Sequence, residues 1–455
     1  MIDPSLLIGM MGAAVAAVLL YTFIGFIPGT DETSVLLPIT LALVLTGVDA
    51  MIVVTFFIAA IVTLNLTNTM PTALVGLPGG VMSSAMIEHT LLIKSHGKSA
   101  EIIKKMATAS MLGVLIAIPV SLGLAHILSP FAQVIEPYGA WLFVIGAAFL
   151  SVISRHKVLS LLSIVPLAIL FESLRHLYWG TGVVPEDTQI TVSFFLGITI
   201  GPLIFKLFSL LNQNERQQQY QDAPKTIFIP EASDKKESLS PFQILSFDEM
   251  KHLSYGALIV NILFVLSPVG LTILVGETIG KRFKTPLKRS TMSVVSMSAT
   301  VQATYLSGII IPLLALGIPL SPVAIGPGAA LFNAPPVHTP DYNIHHILSF
   351  TQLTVAILVG AAIALVISYV LINKYARTIT RIILSRIPHE AVLALFIAFI
   401  VLLAFIDAGF INIFGVLLIG LLTGSLHKMG VNYGVMFMSL YAAPLLIEIL
   451  IGGVF

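Results

Sequence analysis

Long apolar runs separated by short polar loops make up almost the whole chain. Three of these runs are LLIGMMGAAVAAVLLYTFIGFI from residue 6, SMLGVLIAIPVSLGLAHIL from residue 110 and TVAILVGAAIALVISYVLI from residue 354. Each has about the 20 residues that a helix needs to cross the hydrocarbon of a bilayer. The pattern therefore predicts an all-α polytopic membrane protein with about 11–13 membrane segments.

Proline and glycine interrupt the apolar runs at four related places. GFIPGT places Pro28 after the first run, and GLPGG places Pro78 fifty residues later; VLSPVG and LGIPLS place Pro268 and Pro319 fifty-one residues apart. Proline removes an N–H and glycine permits non-helical backbone, so these sites predict broken-helix, re-entrant hairpins. The matching spacing predicts two structurally related, inverted repeats, with chance coincidence among 25 prolines as the alternative.

The clearly polar stretch of the chain lies between the two predicted repeats. Residues 212–252 are rich in Gln, Lys, Glu, Ser and Pro, a composition that cannot bury enough apolar surface to fold alone. We therefore predict a first membrane repeat over residues 1–211, a polar cytoplasmic linker over 212–252 and a second membrane repeat over 253–455.

Composition narrows the class of protein further. The chain is 57% hydrophobic and 10% charged, with a net charge of +1 and no cysteine, and its mean hydropathy is +1.00. These values exclude an ordinary soluble domain and a nucleic-acid footprint, and the absence of cysteine excludes disulfides, thiolate metal sites and thiol nucleophiles. The first run has neither a basic n-region nor a small-residue cleavage pattern, so we expect it to be retained as a span.

Charge in the loops predicts the orientation of the chain. Basic residues outside the linker cluster in residues 94–105, 155–157, 281–289 and 374–386, and the positive-inside rule places these loops in the cytoplasm. Loops with acids and little base are then expected on the opposite side: Asp31/Glu32, Glu136, Glu186/Asp187 and Asp341. We predict a multi-pass membrane protein with these basic loops in the cytoplasm.

Small and hydroxyl residues crowd the first Pro-Gly break. Serine and threonine donors beside exposed backbone N–H groups suit a carboxylate, whereas asparagine oxygens suit a Na⁺ ion. The alternative is that small polar residues only let the helices pack closely. The predicted substrate-binding residues here are Asn68, Thr69, Thr72, Gly79, Gly80, Ser83 and Ser84.

The second break repeats this pattern of residues. Its apolar surroundings make Gln302 the most costly polar group, although a lone amide can also find an internal partner. The predicted substrate-binding residues of this half are Thr300, Gln302, Ser307, Gly317 and Ser321.

Two further groups have open interpretations. Glu88 follows the first hairpin and is a candidate ligand of a coupling ion together with Asn65 and Asn68, but the nearby basic loop also fits an interfacial position. The trio His338, His345 and His346 has no catalytic zinc spacing and stands in a loop that we expect to be external and solvated, so we predict no metal site.

Catalytic and nucleotide-binding motifs are missing from the sequence. It contains no Gly-x-Ser-x-Gly elbow, no His-Glu-x-x-His pair and no Walker-type phosphate loop. We therefore predict that the protein is not an enzyme or an ATP-driven pump, and that it needs no cofactor apart from a coupling ion, Na⁺ or H⁺.

The order of these blocks resembles the large permease subunit of the tripartite tricarboxylate transporters, the TctA-type family. The blocks are GFIPGTDETSVLLPIT, LPGGVMSSAMIEHTLLIKSHGKSAEI, GIIIPLLALGIP and GLLTGSLHKMGVNYGVMFMSLYAAPLLIE, and they extend over nearly the whole chain. The resemblance implies an inner-membrane permease that imports carboxylates with a cation gradient. It also implies two partners, a small four-span membrane subunit and an extracytoplasmic solute-binding protein, and it places Glu88 at the position of the family's acid.

Departures from the family fall on the positions that the resemblance implies for binding. The chain has Gly76 where the family has Asn before Pro-Gly, Gln302 and Ala303 where it has an Asn pair, and Leu320 after Pro319 where it has Gly. The resemblance thus implies the transporter architecture without fixing citrate as the substrate.

These observations predict a secondary active transporter that imports a small organic anion, of the di- or tricarboxylate class, by alternating access and cation symport. The alternatives are a stand-alone carboxylate permease without the tripartite partners, or a passive channel. Homo-oligomerisation and the choice between Na⁺ and H⁺ stay open at this stage.

Overall fold

A computed structural model describes most of the chain. The described residues are 3–28, 30, 32–77, 79–135, 138–184, 191–209, 211–214, 217, 240–334, 337–339, 342–386 and 389–452. The predicted acidic loops at Glu136, Glu186/Asp187 and Asp341, with Asp31 and Pro78, lie outside these residues, as do the side chain of Ser84 and most of the predicted linker.

Helices account for the regular structure of the described ranges, which contain two isolated β-bridges and no strand. The helices of the first half are α1 Pro4–Gly25, α2 Glu32–Leu45, α3 Ala50–Thr67, α4 Met70–Val75, α5 Val81–Ser84, α6 Ile87–Ser95, α7 Ser99–Leu128, α8 Ala132–Ile135, α9 Gly139–Ile153, α10 Lys157–Gly180 and α11 Thr191–Ser209, with a 3₁₀ turn at Ser129–Phe131. Those of the second half are α12 Pro241–Ile244, α13 Phe247–Ile262, α14 Pro268–Gly280, α15 Pro286–Ala315, α16 Pro322–Ile325, α17 Ala329–Phe332, α18 Ile344–Ile347, α19 Phe350–Arg386, α20 His389–Lys428 and α21 Tyr433–Ile451.

Short polar residues cap several of these helices at their N-termini. Asp3 accepts a hydrogen bond from the backbone N–H of Ser5, and Asp49 accepts one from Met51. Ser246 forms a capping box with Glu249, so α13 begins inside the stretch predicted to be a linker. Each cap satisfies a backbone donor that the first helical turn leaves unpaired.

Eight helices of the described residues are long and apolar enough to cross a membrane. Helix α20 leaves helical geometry at Ala408 and Gly409, and the part after this break is one of the eight. Four shorter apolar segments accompany them: Glu32–Leu45, Ala140–Val152 within α9, Pro268–Gly280, and Ile397–Ile406 before the break in α20. The protein is therefore a multi-pass, all-helical membrane protein, whereas the predicted total of spans depends on how the shorter helices lie.

Two pairs of packed helices contain the most buried spans of the molecule. Helix α1 lies along α3, and α13 lies along α15. Helix α3 packs against α19, where Thr63 Oγ1 lies 3.1 Å from Ser368 Oγ. Helix α15 packs against α7, where Ser110 Oγ donates to the carbonyl of Ser298 over 3.3 Å. The two central helices are thus each packed between two others, α3 between α1 and α19, and α15 between α7 and α13.

A second group of helices surrounds α11 and α20, which pack together closely. Two Gly-x-x-x-Gly patterns face each other there, because a Cβ atom on Gly424 would lie 2.1 Å from the backbone oxygen of Gly201. Helix α21 packs against α9 and α10 beside this pair. Glycine at such positions lets two membrane helices approach at backbone distance.

Candidate functional site

The first helix break brings an acidic residue into the interior. Glu32 is the first residue of α2 and is 2% exposed. Its Oε1 atom accepts a hydrogen bond of 2.7 Å from Asn68 Nδ2. The break between α1 and α2 therefore turns back inside the protein against the end of α3, and the side of the membrane on which this segment lies stays a prediction.

The first hairpin passes directly over this Glu32–Asn68 pair. A Cβ atom on Gly79 would lie 1.9 Å from the backbone oxygen of Asn68, and one on Gly80 would lie 2.5 Å from Glu32 Oε1. Thr30 Oγ1 donates to the carbonyl of Gly79 over 3.3 Å. The double glycine is required here because the returning chain leaves no room for a side chain.

The hydroxyl groups predicted to bind substrate at this hairpin make local hydrogen bonds. Thr69 Oγ1 donates to the carbonyl of Leu66 over 2.8 Å, and Thr72 Oγ1 donates to that of Leu77 over 3.2 Å. Ser83 Oγ accepts from Gly80 N over 3.0 Å and donates to Gly80 O over 2.9 Å. These side chains hold the shape of the hairpin, and a direct contact with substrate stays a prediction for them.

The second hairpin is held in a comparable way. Gly317, at a φ of +65°, ends the turn after α15. Ser321 caps α16 by accepting from Ala324 N over 3.0 Å, and its hydroxyl donates to the carbonyl of Gly308 over 2.5 Å. The hairpin therefore returns against α15, as the first returns against α3.

The remaining predicted residues of the second half lie along buried α15. Thr300 Oγ1 donates to Ser296 O over 2.8 Å, and Ser307 Oγ donates to Thr304 O over 3.4 Å. Gln302 Nε2 donates to the carbonyl of Val62 over 3.0 Å. Gln302 thus links the two central helices α15 and α3.

A cavity of about 880 Å³ lies where the helix breaks meet. Its lining includes Glu32 at the start of α2, Met82 in α5, Pro268 at the start of α14 and Pro322 in α16. All four predicted breaks therefore contribute to one cavity. Of the predicted hydroxyl ligands whose side chains the structure describes, none lines it, although Met82 and Pro322 are the neighbours of Ser83 and Ser321.

Basic side chains stand at the surface end of this cavity. Arg155, in the loop between α9 and α10, lines it together with His427 and Lys428 at the end of α20, and all three residues are exposed. The Lys428 ammonium lies 5.0 Å from the centroid of the Phe205 ring. The cavity thus joins a surface opening with positive charge to an interior that contains the Glu32 carboxylate.

The sequence pattern did not predict that Arg155, His427 and Lys428 contribute to the cavity. The loop containing Arg155 indicated only the orientation of the chain, and Lys428 belongs to a different half of the sequence. The sequence signal that could have indicated these cavity residues is the segment KMGVNYG after His427, in which a basic residue stands close to two glycines.

Glu88 and His89 lie apart from the cavity, on α6. Glu88 is exposed. His89 Nε2 lies 2.6 Å from Glu277 Oε1, and its Nδ1 lies 3.1 Å from Ser290 Oγ. His89 therefore connects α6 to α14 and α15, and a role of Glu88 in ion coupling stays a prediction.

The loop with three histidines is only partly solvated, with His346 exposed and His338 buried. His338 is buried, and its Nδ1 donates to the carbonyl of Ala330 over 3.0 Å. His345 Nδ1 donates to the carbonyl of Leu313 over 2.9 Å. The expectation of a solvated loop is therefore wrong for His338, whose pKa is lowered by burial.

Comparison with known proteins gives one family. The sequence model of the tripartite tricarboxylate transporter TctA family matches residues 11–438. No curated protein and no solved structure matches the chain. The match covers both central helices, both hairpins and the whole cavity, and it confirms the resemblance drawn from the sequence blocks. The chain belongs to the tripartite tricarboxylate transporter TctA family.

Proposed function

We propose that the protein is a secondary active transporter that imports a small organic anion of the di- or tricarboxylate class, with Na⁺ or H⁺ as the coupling ion. The observation that carries this proposal is the cavity of about 880 Å³ at which all four helix breaks converge. Breaks of this kind are stable inside a membrane only where they are buried in protein or line a wet cavity. In transporters, substrate and ion sites lie at such breaks.

The charge around the cavity supports an anionic substrate. Arg155 and Lys428 raise the local concentration of anions at its opening, and their long side chains reach a carboxylate without leaving water entirely. The family to which the chain belongs is named for tricarboxylates. Inside the cavity, Thr33 and Tyr305 offer hydroxyl groups beside the breaks.

The packing of the central helices supports two inverted repeats that move against a scaffold. The pair α1–α3 has its counterpart in α13–α15, and α3–α19 has its counterpart in α7–α15. The contact of Gly79 with Asn68 likewise corresponds to that of Ser321 with Gly308. Alternating access would displace the hairpin-bearing centre relative to the α11–α20 pair.

Partners and location follow from the family by analogy. We propose that the chain works in the inner membrane with a small four-span subunit and an extracytoplasmic solute-binding protein. A stand-alone permease is the alternative, and neighbouring genes for both partners would favour the tripartite arrangement. Self-association is compatible with either arrangement.

Uptake of labelled di- and tricarboxylates into proteoliposomes tests the proposal. We expect saturable uptake that an imposed Na⁺ or proton gradient drives above equilibrium. Uptake that rises linearly with concentration and ignores both gradients would instead identify a passive channel. The variant Arg155→Gln should raise KM for a dicarboxylate more than it changes kcat, whereas Arg381→Gln, at an exposed arginine outside the cavity lining, is the matched control.

A further inference from the structure

Buried oxygen atoms gather at the interior end of α3. Asn65 and Asn68 are 2% and 1% exposed, and they lie one helical turn apart on the same face because Asn68 keeps helical dihedral angles. Glu32 Oε1 lies 2.7 Å from Asn68 Nδ2. Glu32 and Asn68 therefore meet beneath the first hairpin, and Asn65 lies one helical turn before Asn68 along α3.

Several of these polar atoms have no hydrogen-bond partner. Within the described part of the chain, Asn65 Oδ1 and Nδ2 and Asn68 Oδ1 are fully buried and make no hydrogen bond. A buried amide without a partner costs about 1–3 kcal/mol. A ligand that binds these oxygen atoms would remove this free-energy cost.

The end of α3 adds further negative potential. The helix stops at Thr67, and Pro71 has no N–H to donate to the carbonyl of Thr67, four residues before it. Unpaired carbonyls at a helix C-terminus carry the negative end of the helix dipole, which favours a cation.

We infer that Glu32, Asn65 and Asn68 form a sodium-binding site at the interior end of α3. This inference rests on the proposed cation-coupled transport, and it makes Glu32 the acidic ligand of the coupling ion in place of Glu88. One carboxylate neutralises a monovalent ion, whereas Ca²⁺ binding usually recruits more carboxylates. A proton on Glu32 gives one O–H group, which can donate to only one of the two asparagine oxygens. A Na⁺ ion can instead be coordinated by the carboxylate and both asparagine oxygens at once.

The position of the site supplies a route for coupling. Glu32 lines the cavity, and Gly80 of the first hairpin contacts both Glu32 and Asn68. A cation bound there would hold the hairpin against α3 and offset the negative charge of Glu32 toward an anionic substrate. Sodium and substrate would therefore favour each other's binding, as linkage requires.

Thermal unfolding of the purified full-length protein tests the inference. Na⁺ is titrated against choline at constant ionic strength and fixed pH, with K⁺ in parallel. We expect a saturable rise of Tm with Na⁺ alone, because a ligand of the folded state stabilises it by mass action. Glu32→Gln and Asn68→Ala should raise the half-saturating Na⁺ concentration at least about tenfold.

Matched controls separate the site from general destabilisation. Glu172→Gln removes another buried carboxylate, which pairs with Arg175, and Asn373→Ala removes another amide whose oxygen is buried and unpaired. Both control variants should keep the sodium response of the wild type. If Glu32→Gln does not fold, Asn65→Ala and Asn68→Ser are used instead, with binding of radioactive ²²Na⁺ as the measurement.

Three results would overturn the inference. They are a wild type that responds equally to Na⁺, K⁺ and choline, a sodium response that survives in the Glu32 and Asn68 variants, and stabilisation by acid without sodium that Glu32→Gln abolishes. The last result would assign a proton to Glu32 instead. Citrate and malate are titrated in the same assay, so a failure of anion binding, which concerns the proposed function, is distinguished from a failure of sodium binding.

Discussion

At the scale of single residues, Gly79 fits a position where the chain touches its own backbone. The nearest atom to a Cβ there is a backbone oxygen, which cannot rotate away as the end of a side chain can. Replacing glycine by alanine should not destabilise the protein where the surroundings of the glycine are open. At Gly12, in α1, an added Cβ would meet no described atom within 4 Å, and the residue needs no special conformation.

We expect Gly79→Ala to destabilise the protein by about 1–3 kcal/mol, as overpacking does elsewhere, and to impair transport. Gly12→Ala should be neutral or stabilise by up to about 1 kcal/mol, since alanine is the better helix former. Thermal unfolding and uptake by the two variants provide the measurement. Equal Tm values would show that the hairpin can move away from Asn68.

His338 makes the stability of the protein depend on pH. Its pKa is lowered in the folded state relative to the ordinary value of 6.5, because burial disfavours the charged ring. Below pH 6.5 the unfolded state gains a proton that the folded state resists, so the free energy of unfolding falls as the pH falls, by at most about 1.36 kcal/mol per pH unit.

We expect His338→Gln, which can still donate to the carbonyl of Ala330, to flatten the pH dependence of Tm between the pKa values of the two states. The exposed His96 offers the matched variant, His96→Gln, which should leave the curve unchanged. An unaltered curve for His338→Gln would assign the pH dependence to another group.

At the scale of helices, the contact between α11 and α20 depends on their close packing. Lipid is as apolar as a protein core, so membrane helices associate through packing and not through removal from water. The two glycine patterns, Gly197 with Gly201 and Gly420 with Gly424, supply that packing.

We expect Gly424→Ala to separate α11 from α20 and to lower stability by about 1–3 kcal/mol, because the added Cβ meets the backbone of Gly201. Gly123→Ala in α7, where a Cβ meets no described atom within 4 Å, is the control. Detergent-resistance and thermal-unfolding measurements on both variants distinguish the two outcomes, and a Gly424 variant as stable as the control would contradict close packing.

At the scale of the whole molecule, the cavity reaches the surface beside the basic loop of Arg155. The positive-inside rule puts that loop in the cytoplasm, so this conformation is expected to be open to the cytoplasm. The absence of cysteine in the sequence makes the expectation easy to test with introduced thiols.

We expect Ser267→Cys, in the cavity lining, to react with a membrane-impermeant thiol reagent from the cytoplasmic side faster than from the other side, and to be protected by substrate. Thr33→Cys gives a second position in the lining. Ser151→Cys, fully buried in α9, should stay unreactive. Equal rates from both sides would indicate a continuous pore and contradict alternating access.

Much of the fold was predictable because it depends on local sequence. The apolar runs predicted the membrane helices, and Pro28, Pro78, Pro268 and Pro319 predicted the places where helices stop. The number of spans was harder to predict, because a helix as short as α2 or α14 has fewer than the roughly 20 residues needed to cross a bilayer.

The close approach at the hairpin glycines was predictable from the sequence, whereas the contacts of the neighbouring hydroxyl groups were not. Gly79 and Gly80 stand at the hairpin as expected, but the hydroxyl groups of Thr69, Thr72 and Ser83 bond to nearby backbone. Hydrogen bonds of that kind depend on local geometry that residue type alone does not specify.

The sequence by itself determined that the chain is a helical membrane protein of the TctA family with paired helix breaks, because hydropathy, proline and glycine act over a few residues. Only the tertiary structure decided that Glu32 is buried against Asn68 and that Arg155 and Lys428 share a cavity. Those contacts join distant segments through lateral helix packing, and hydropathy does not encode which side of an apolar helix faces lipid and which faces another helix.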